Sequence, residues 1–100
     1  MLNAMRTAVI INYSANNNSG KKRWLNIRDR VIREFPEGTV IIPYEVPFDI
    51  RECLQRVIHD QKVTCIISGG GDGTMNCILN TLYEITGTDI RRFCLGGIGL

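Results

Sequence analysis

Apolar residues along the chain fall into two alternating kinds of segment, short unbroken runs and longer stretches at helical spacing. Ala8-Val9-Ile10-Ile11-Asn12 is a continuous, β-branched run, the pattern of a strand buried on both faces. Tyr13 to Gly20 is rich in Asn and Ser and reads as a loop. From Lys21 the pattern turns helical. Trp24, Ile27, Val31 and Phe35 share one stripe, with Arg28, Asp29, Arg30 and Arg33 on the other faces. Pro36-Glu37-Gly38 stops this first helix, and Thr39-Val40-Ile41-Ile42 makes a second strand. Asp49 and Glu52 have the spacing of an N-cap and its N3 partner. Behind them Ile50, Cys53, Leu54, Val57 and Ile58 form the apolar stripe of a second helix. Val63 to Ser68 is the third buried strand and runs straight into Gly69-Gly70-Gly71-Asp72-Gly73-Thr74. Met75, Ile78, Leu79 and Leu82 mark a third helix, expected to begin at or just after Thr74. Gly87-Thr88-Asp89 is turn chemistry, and Phe93 to Ile98 is a fourth strand.

The order is βαβαβαβ. Short connections and doubly apolar strands predict an α/β fold of Rossmann-like type, a three-layer sandwich with a parallel sheet and right-handed crossovers. One hundred residues fit one domain. The net charge of +2 is too small to argue for a nucleic-acid partner or a charged membrane surface. No apolar run approaches the ~18 residues a membrane span needs, and the N-terminus lacks the pattern of a signal peptide. Cys53, Cys65, Cys77 and Cys94 form no C-x-x-C pair, so neither a zinc site nor a thioredoxin motif is indicated. Buried reduced thiols, Cys65 above all, fit a cytoplasmic protein. His59, off the apolar stripe of its helix, reads as a solvated residue.

The glycine loop carries the candidate chemistry. In an open α/β sheet, ligands gather at the carboxyl ends of the strands. A glycine-rich turn there lets phosphate approach main-chain N–H groups, and the helix that follows offers free N–H groups and the positive end of its dipole. The expectation is positive φ at Gly70 or Gly71. Asp72 stands out, because a carboxylate facing phosphates is repulsive unless Mg²⁺, a ribose hydroxyl or a neighbouring donor uses it. The loop is neither a Walker A sequence nor the G-x-G-x-x-G of dinucleotide-binding domains. A tight turn without a ligand is the plainer reading of the same residues. Lys21, Lys22 and Arg23 open the first helix beside Ser19-Gly20. They can neutralise phosphates or can equally form a solvated basic helix start.

Ser68-Gly69-Gly70-Gly71-Asp72-Gly73-Thr74-Met75-Asn76 resembles the G-G-G-D-G-T-x-N segment of the diacylglycerol kinase catalytic domain family, which includes diacylglycerol- and sphingosine-type lipid kinases. Asn76 and Asn80 favour that family, but its glutamate is Cys77 here and its second glycine is Thr81. Asn12 and then Ser19-Gly20-Lys21 resemble the family's N-P-x-S-G loop with the proline missing and an Asn-rich insertion. Leu95-Gly96-Gly97-Ile98-Gly99-Leu100 resembles the start of its L-G-x-x-P-x-G-T-x-N-D motif. Residues 1–100 therefore read as the N-terminal part of the nucleotide-binding domain, truncated at its C-terminal end.

The resemblance implies transfer of the γ-phosphate of ATP to a lipid hydroxyl, with Mg²⁺. It implies nucleotide binding by Asn12, Ser19, Gly20, Gly69, Gly70, Gly71, Asp72, Gly73 and Thr74, with Asn76 bracing the loop and Asp72 reaching Mg²⁺ through water. The family's catalytic base and lipid acceptor site lie in a second, β-rich domain. This segment alone is accordingly expected to bind nucleotide weakly and to phosphorylate no lipid. The reading leaves room for peripheral membrane contact by a full protein and for homo-oligomers formed through the fourth strand's open edge. The family also sets a threonine near the end of strand two, over the adenosine. Pro43-Tyr44-Glu45 stand there, and Tyr44 is read as covering the sheet edge rather than packing on a base. The rival readings are an NAD kinase-like enzyme, which shares the G-G-D-G core, and a nucleotide-binding module without catalysis.

Overall fold

The structure is a computed structural model that describes residues 6–100. Four strands, β1 (Thr7–Asn12), β2 (Val40–Tyr44), β3 (Cys65–Gly70) and β4 (Cys94–Gly99), form one sheet in the order β2-β1-β3-β4, with every pairing parallel. Three helices connect them: α1 (Gly20–Glu34), α2 (Ile50–His59) and α3 (Asp72–Thr86). A 3₁₀ turn, Gly87–Arg92, leads from α3 into β4.

The central strand explains the layering. Ala8, Val9, Ile10 and Ile11 are fully buried, and alternate residues point to opposite faces. Val9 and Ile11 pack with Trp24 of α1, joined by Ile27, Val31 and Phe35. Ala8 and Ile10 pack with Ile50, Leu54 and Val57 of α2 and with Ile78 and Leu82 of α3. The result is one helix below the sheet and two above it, the Rossmann-like α/β sandwich the periodicity predicts. Among the described residues no helix is long and apolar enough to cross a membrane.

Element ends differ from the sequence-based expectation in four places. Strand two runs on through Pro43 to Tyr44 because β2 is an edge strand, where a residue without an N–H breaks no ladder. The stretch expected as a plain loop contains a compact turn, Ala15–Asn18, in which Asn16, Asn17 and Asn18 all have positive φ. Asparagine is the non-glycine residue best suited to that left-handed conformation, which accounts for the Asn cluster. Strand three begins at Cys65 and continues through Gly69 and Gly70, and α3 begins at Asp72 rather than near Thr74. The extension follows from pairing on both sides: Ile11 lies opposite Gly69, and Gly99 opposite Gly70. Strand four is shifted one residue, to Cys94–Gly99, by the same pairing, and the 3₁₀ turn takes up Gly87-Thr88-Asp89.

The cap of α2 is as the sequence predicts. The Asp49 carboxylate accepts a hydrogen bond from the Glu52 backbone N–H at 2.9 Å. Asp49→Ala should therefore lower stability by about 1 kcal/mol, the usual worth of an N-cap. Urea unfolding of the two proteins measures it, and equal midpoints would mean the cap contributes nothing. Cys65 is buried and unpaired, Cys53 half-buried, and Cys77 and Cys94 exposed. His59 is exposed.

Candidate functional site

The strand order places a switch point between β1 and β3. The connection leaving β1 turns toward β2, and the one leaving β3 turns the other way, toward β4. Their two loops diverge at the carboxyl edge, where an open parallel sheet forms its ligand crevice. One loop carries Asn12 to Ser19, the other Gly70 to Asp72.

Side chains lock these loops together. Asn12 donates from Nδ2 to Thr74 Oγ1 at 3.0 Å, across the switch point. Its Oδ1 accepts from the Ser14 backbone N–H at 2.9 Å, which folds the chain back on itself after β1. Ser14 Oγ in turn accepts from the Val46 backbone N–H at 3.2 Å, and the Tyr13 N–H donates to the Tyr44 carbonyl at 2.7 Å. Three loops thus hold one another at this edge. The brace across the site is Asn12 with Thr74. Asn76, expected to brace the loop, is exposed on α3 and makes no hydrogen bond to the loop among the described residues.

The glycines divide into two groups by what surrounds them. A side-chain carbon added at Gly69 would lie 2.9 Å from Ile11 Cδ1, and one at Gly70 would lie 2.7 Å from Thr74 Oγ1. These two are glycine because β1 and the first turn of α3 press against them. A carbon added at Gly71 or Gly73 would meet nothing within 4 Å. Gly71 has extended φ and ψ of −103° and −166°, and neither it nor Gly70 has positive φ. The expectation of a left-handed loop glycine is therefore wrong. The strand passes into the helix through extended backbone, and at Gly71 and Gly73 the absence of a side chain keeps the space in front of the backbone open.

That open space faces an uncapped helix. Gly71 is the N-cap of α3 and supplies no side chain to the first N–H groups, while Met75 N–H makes the first intrahelical bond, to the Gly71 carbonyl. The preceding N–H groups and the positive end of the dipole are left for an outside acceptor, an anion above all. Asp72, in the first turn, is exposed and forms no ion pair among the described residues.

The second loop is built differently. Gly20 is buried against backbone: an added side-chain carbon would lie 2.5 Å from the Asn12 carbonyl oxygen. Ser19 donates its hydroxyl to the Asn16 carbonyl at 2.7 Å and so closes the left-handed turn. In this structure both shape the wall of the cleft, and neither presents a free side-chain donor. Lys21 Nζ sits 5.7 Å over the Tyr13 ring. Tyr44 is buried and stacks on Phe48 with ring centroids 4.5 Å apart, so it covers the β2 side of the edge as expected. Burial pushes its phenol pKa up, with the nearby Cys77 thiol adding to the rise and Thr74 pulling it partly back.

Ser68 escaped the sequence reading, which also left Arg23 as one of three basic residues that can neutralise phosphates or stay solvated. Ser68, the fourth residue of β3, is buried and its Oγ has no partner among the described residues. Arg23 lines the same cavity at the carboxyl edge as Ser68, Gly71 and Asp72. A polar residue directly after the apolar run Cys65-Ile66-Ile67 is the signal that marks Ser68 in the sequence. Arg23 carries no such mark, because only the path of α1 separates it from its two basic neighbours.

The sequence model described as the diacylglycerol kinase catalytic domain matches residues 6–97. A search of curated proteins found no match.

Proposed function

The chain belongs to the diacylglycerol kinase catalytic domain family, a kinase-type family, and on that premise we propose that it is the ATP-binding portion of a lipid kinase. Its substrate reaction would be transfer of the γ-phosphoryl group to the hydroxyl of a diacylglycerol- or sphingosine-type lipid. The observation that carries this reading is the uncapped start of α3 behind two glycines whose missing side chains leave open space. Extended strand, glycine N-cap and free helix N–H groups make a cradle for phosphate oxygens.

In this reading the backbone of Gly71 to Thr74 takes the phosphates. Asn12 keeps Thr74 and the β1 loop at a fixed separation, so the cradle is set before nucleotide arrives. Such preorganisation matters because phosphoryl transfer is mainly positioning and charge stabilisation. The donor set fits Mg²⁺ carried on phosphates, since Mg²⁺ typically takes one or two carboxylates and keeps several waters. Asp72 is the exposed carboxylate at the cradle. When bound, Mg²⁺ would be held near Asp72 through water and would supply positive charge to offset that of the phosphates. The remaining residues orient and hold.

The test is calorimetric titration with MgATP followed by a phosphorylation assay on diacylglycerol and sphingosine by a protein containing this chain. MgATP binding and labelled lipid support the reading. Labelled NAD in place of lipid moves it to the NAD kinase-like alternative, and binding without transfer to either makes the chain a nucleotide-binding module.

A further inference from the structure

We infer that Cys65 and Cys94 form a dithiol modification site, which a peroxide converts to a reversible disulfide that staples the start of β4 to the start of β3. The site lies at the amino ends of the strands, opposite the glycine loop, so the inference is independent of the phosphate-cradle reading.

Pairing brings the two cysteines together. Cys65 and Cys94 open β3 and β4 and are register partners in the parallel ladder. The Cys94 N–H donates to the Thr64 carbonyl at 2.9 Å, which fixes that register where the strands begin. Partners in register on adjacent strands project to the same face of the sheet. Strand spacing of about 4.8 Å falls within the Cα separations of about 4.4–6.8 Å that a disulfide bridges. Both thiols are free in the structure.

Their surroundings differ, and the difference assigns their roles. Cys94 is exposed and can meet an oxidant in solution, whereas Cys65 is buried. Burial pushes the Cys65 thiol pKa up, the adjacent Cys94 adds to the rise, and Thr7 pulls it partly back. Cys65 is thus shielded from direct oxidation but stands beside the sulfur that is not. The exposed Cys94 sulfur attacks a peroxide, ROOH. An S–O bond forms as the O–O bond breaks, the thiol proton goes to the departing oxygen, and ROH leaves a sulfenic acid on Cys94. The Cys65 sulfur then attacks that of Cys94. The S–S bond forms as the S–O bond breaks, and the hydroxide leaves with the Cys65 proton as water. Two thiols and ROOH become one disulfide, ROH and water, with two electrons passing from sulfur to peroxide.

The strand that gains is the weakest. β4 contains Gly96, Gly97 and Gly99, and glycine weakens a strand interior. Among the described residues it pairs with β3 alone. The bridge would close a loop holding the rest of β3, all of α3 and the 3₁₀ turn, and long closed loops gain most from a cross-link.

The experiment treats the Cys77→Ser protein with hydrogen peroxide, blocks the remaining thiols and maps unreduced tryptic peptides by mass spectrometry. Cys77 is exposed, and without its removal the tryptic peptide from Val63 to Arg91 holds two cysteines. That peptide should be joined to the C-terminal one carrying Cys94, and dithiothreitol should separate them. The oxidised monomer should melt roughly 10 °C above the reduced one. Cys94→Ser in this background should abolish the shift and leave Cys65 unoxidised. Cys65→Ala should leave Cys94 as a sulfenic acid that dimedone labels. Both thiols unreacted, a bridge to Cys53, a bridge between two copies through Cys94, or Cys94 driven to the sulfonic acid beside a free Cys65 would each overturn the inference. So would the expected bridge with a melting temperature unchanged or lowered, since it would then staple nothing.

Discussion

Replacing Gly71 with valine will reduce ATP binding at least tenfold, about 1.4 kcal/mol, and leave the fold in place. The two halves of this expectation have separate causes. Gly71 has ordinary extended backbone, and a side-chain carbon there meets no protein atom within 4 Å, so valine is sterically acceptable to the protein. The loss of stability is confined to a poorer N-cap, roughly 1 kcal/mol or less. In the proposed reading the same side chain stands where phosphate oxygens would approach the first N–H groups of α3. Gly71→Ser sharpens the test, because serine caps those N–H groups itself and should raise stability while weakening binding. Calorimetric titration and thermal unfolding of the three proteins read both effects. Parent-like ATP affinity in Gly71→Val would show that phosphate does not sit on this helix.

Gly20→Ala will be destabilising, against the usual rule for helices. Alanine in place of glycine within a helix ordinarily stabilises by roughly 0.5–1 kcal/mol. Gly20 opens α1, but its added carbon would lie 2.5 Å from the Asn12 carbonyl oxygen, 3.1 Å from that of Tyr13 and 3.2 Å from the Ala15 nitrogen. All three neighbours are backbone, so relief requires moving the β1 loop. Overpacking of this kind costs about 1–3 kcal/mol, a fall in melting temperature of roughly 4–8 °C for each kcal/mol in a domain of this size. The displaced loop also carries Asn12, whose bond to Thr74 spans the site, so nucleotide binding should weaken in parallel. Urea unfolding decides the matter: a variant more stable than the parent would mean the loop gives way freely and Gly20 has no packing role.

The two glycines show why a motif reading and a structural reading differ. In the sequence both belong to loops that resemble nucleotide-binding segments. In the structure one is glycine for the protein's own packing and the other leaves space for something else. Residue type cannot distinguish these cases, because each depends on atoms far away in the chain: the Asn12 carbonyl for Gly20, and the lack of any neighbour for Gly71. Asn76 is the converse case. Its place one turn into a helix predicts a brace, but the exposed face of α3 carries it away from the loop, and the shorter Thr74 side chain meets Asn12 instead.

What the sequence determined by itself is everything carried by local periodicity. The β-branched runs, the apolar stripes of Trp24 to Phe35 and Ile50 to Ile58, and the Asp49 cap are short-range patterns, and each produced its element. Alternation of runs and stripes then left a parallel sheet with helices on both faces as the arrangement that buries them all. Tertiary structure alone decided where β3 stops, because Gly69 and Gly70 join the strand only when β1 and β4 pair beside them. It also decided which loops meet across the switch point, and that Ser68 and Arg23 border one cavity. Those outcomes depend on contacts between residues as far apart as Asn12 and Thr74, and no window along the chain contains both partners.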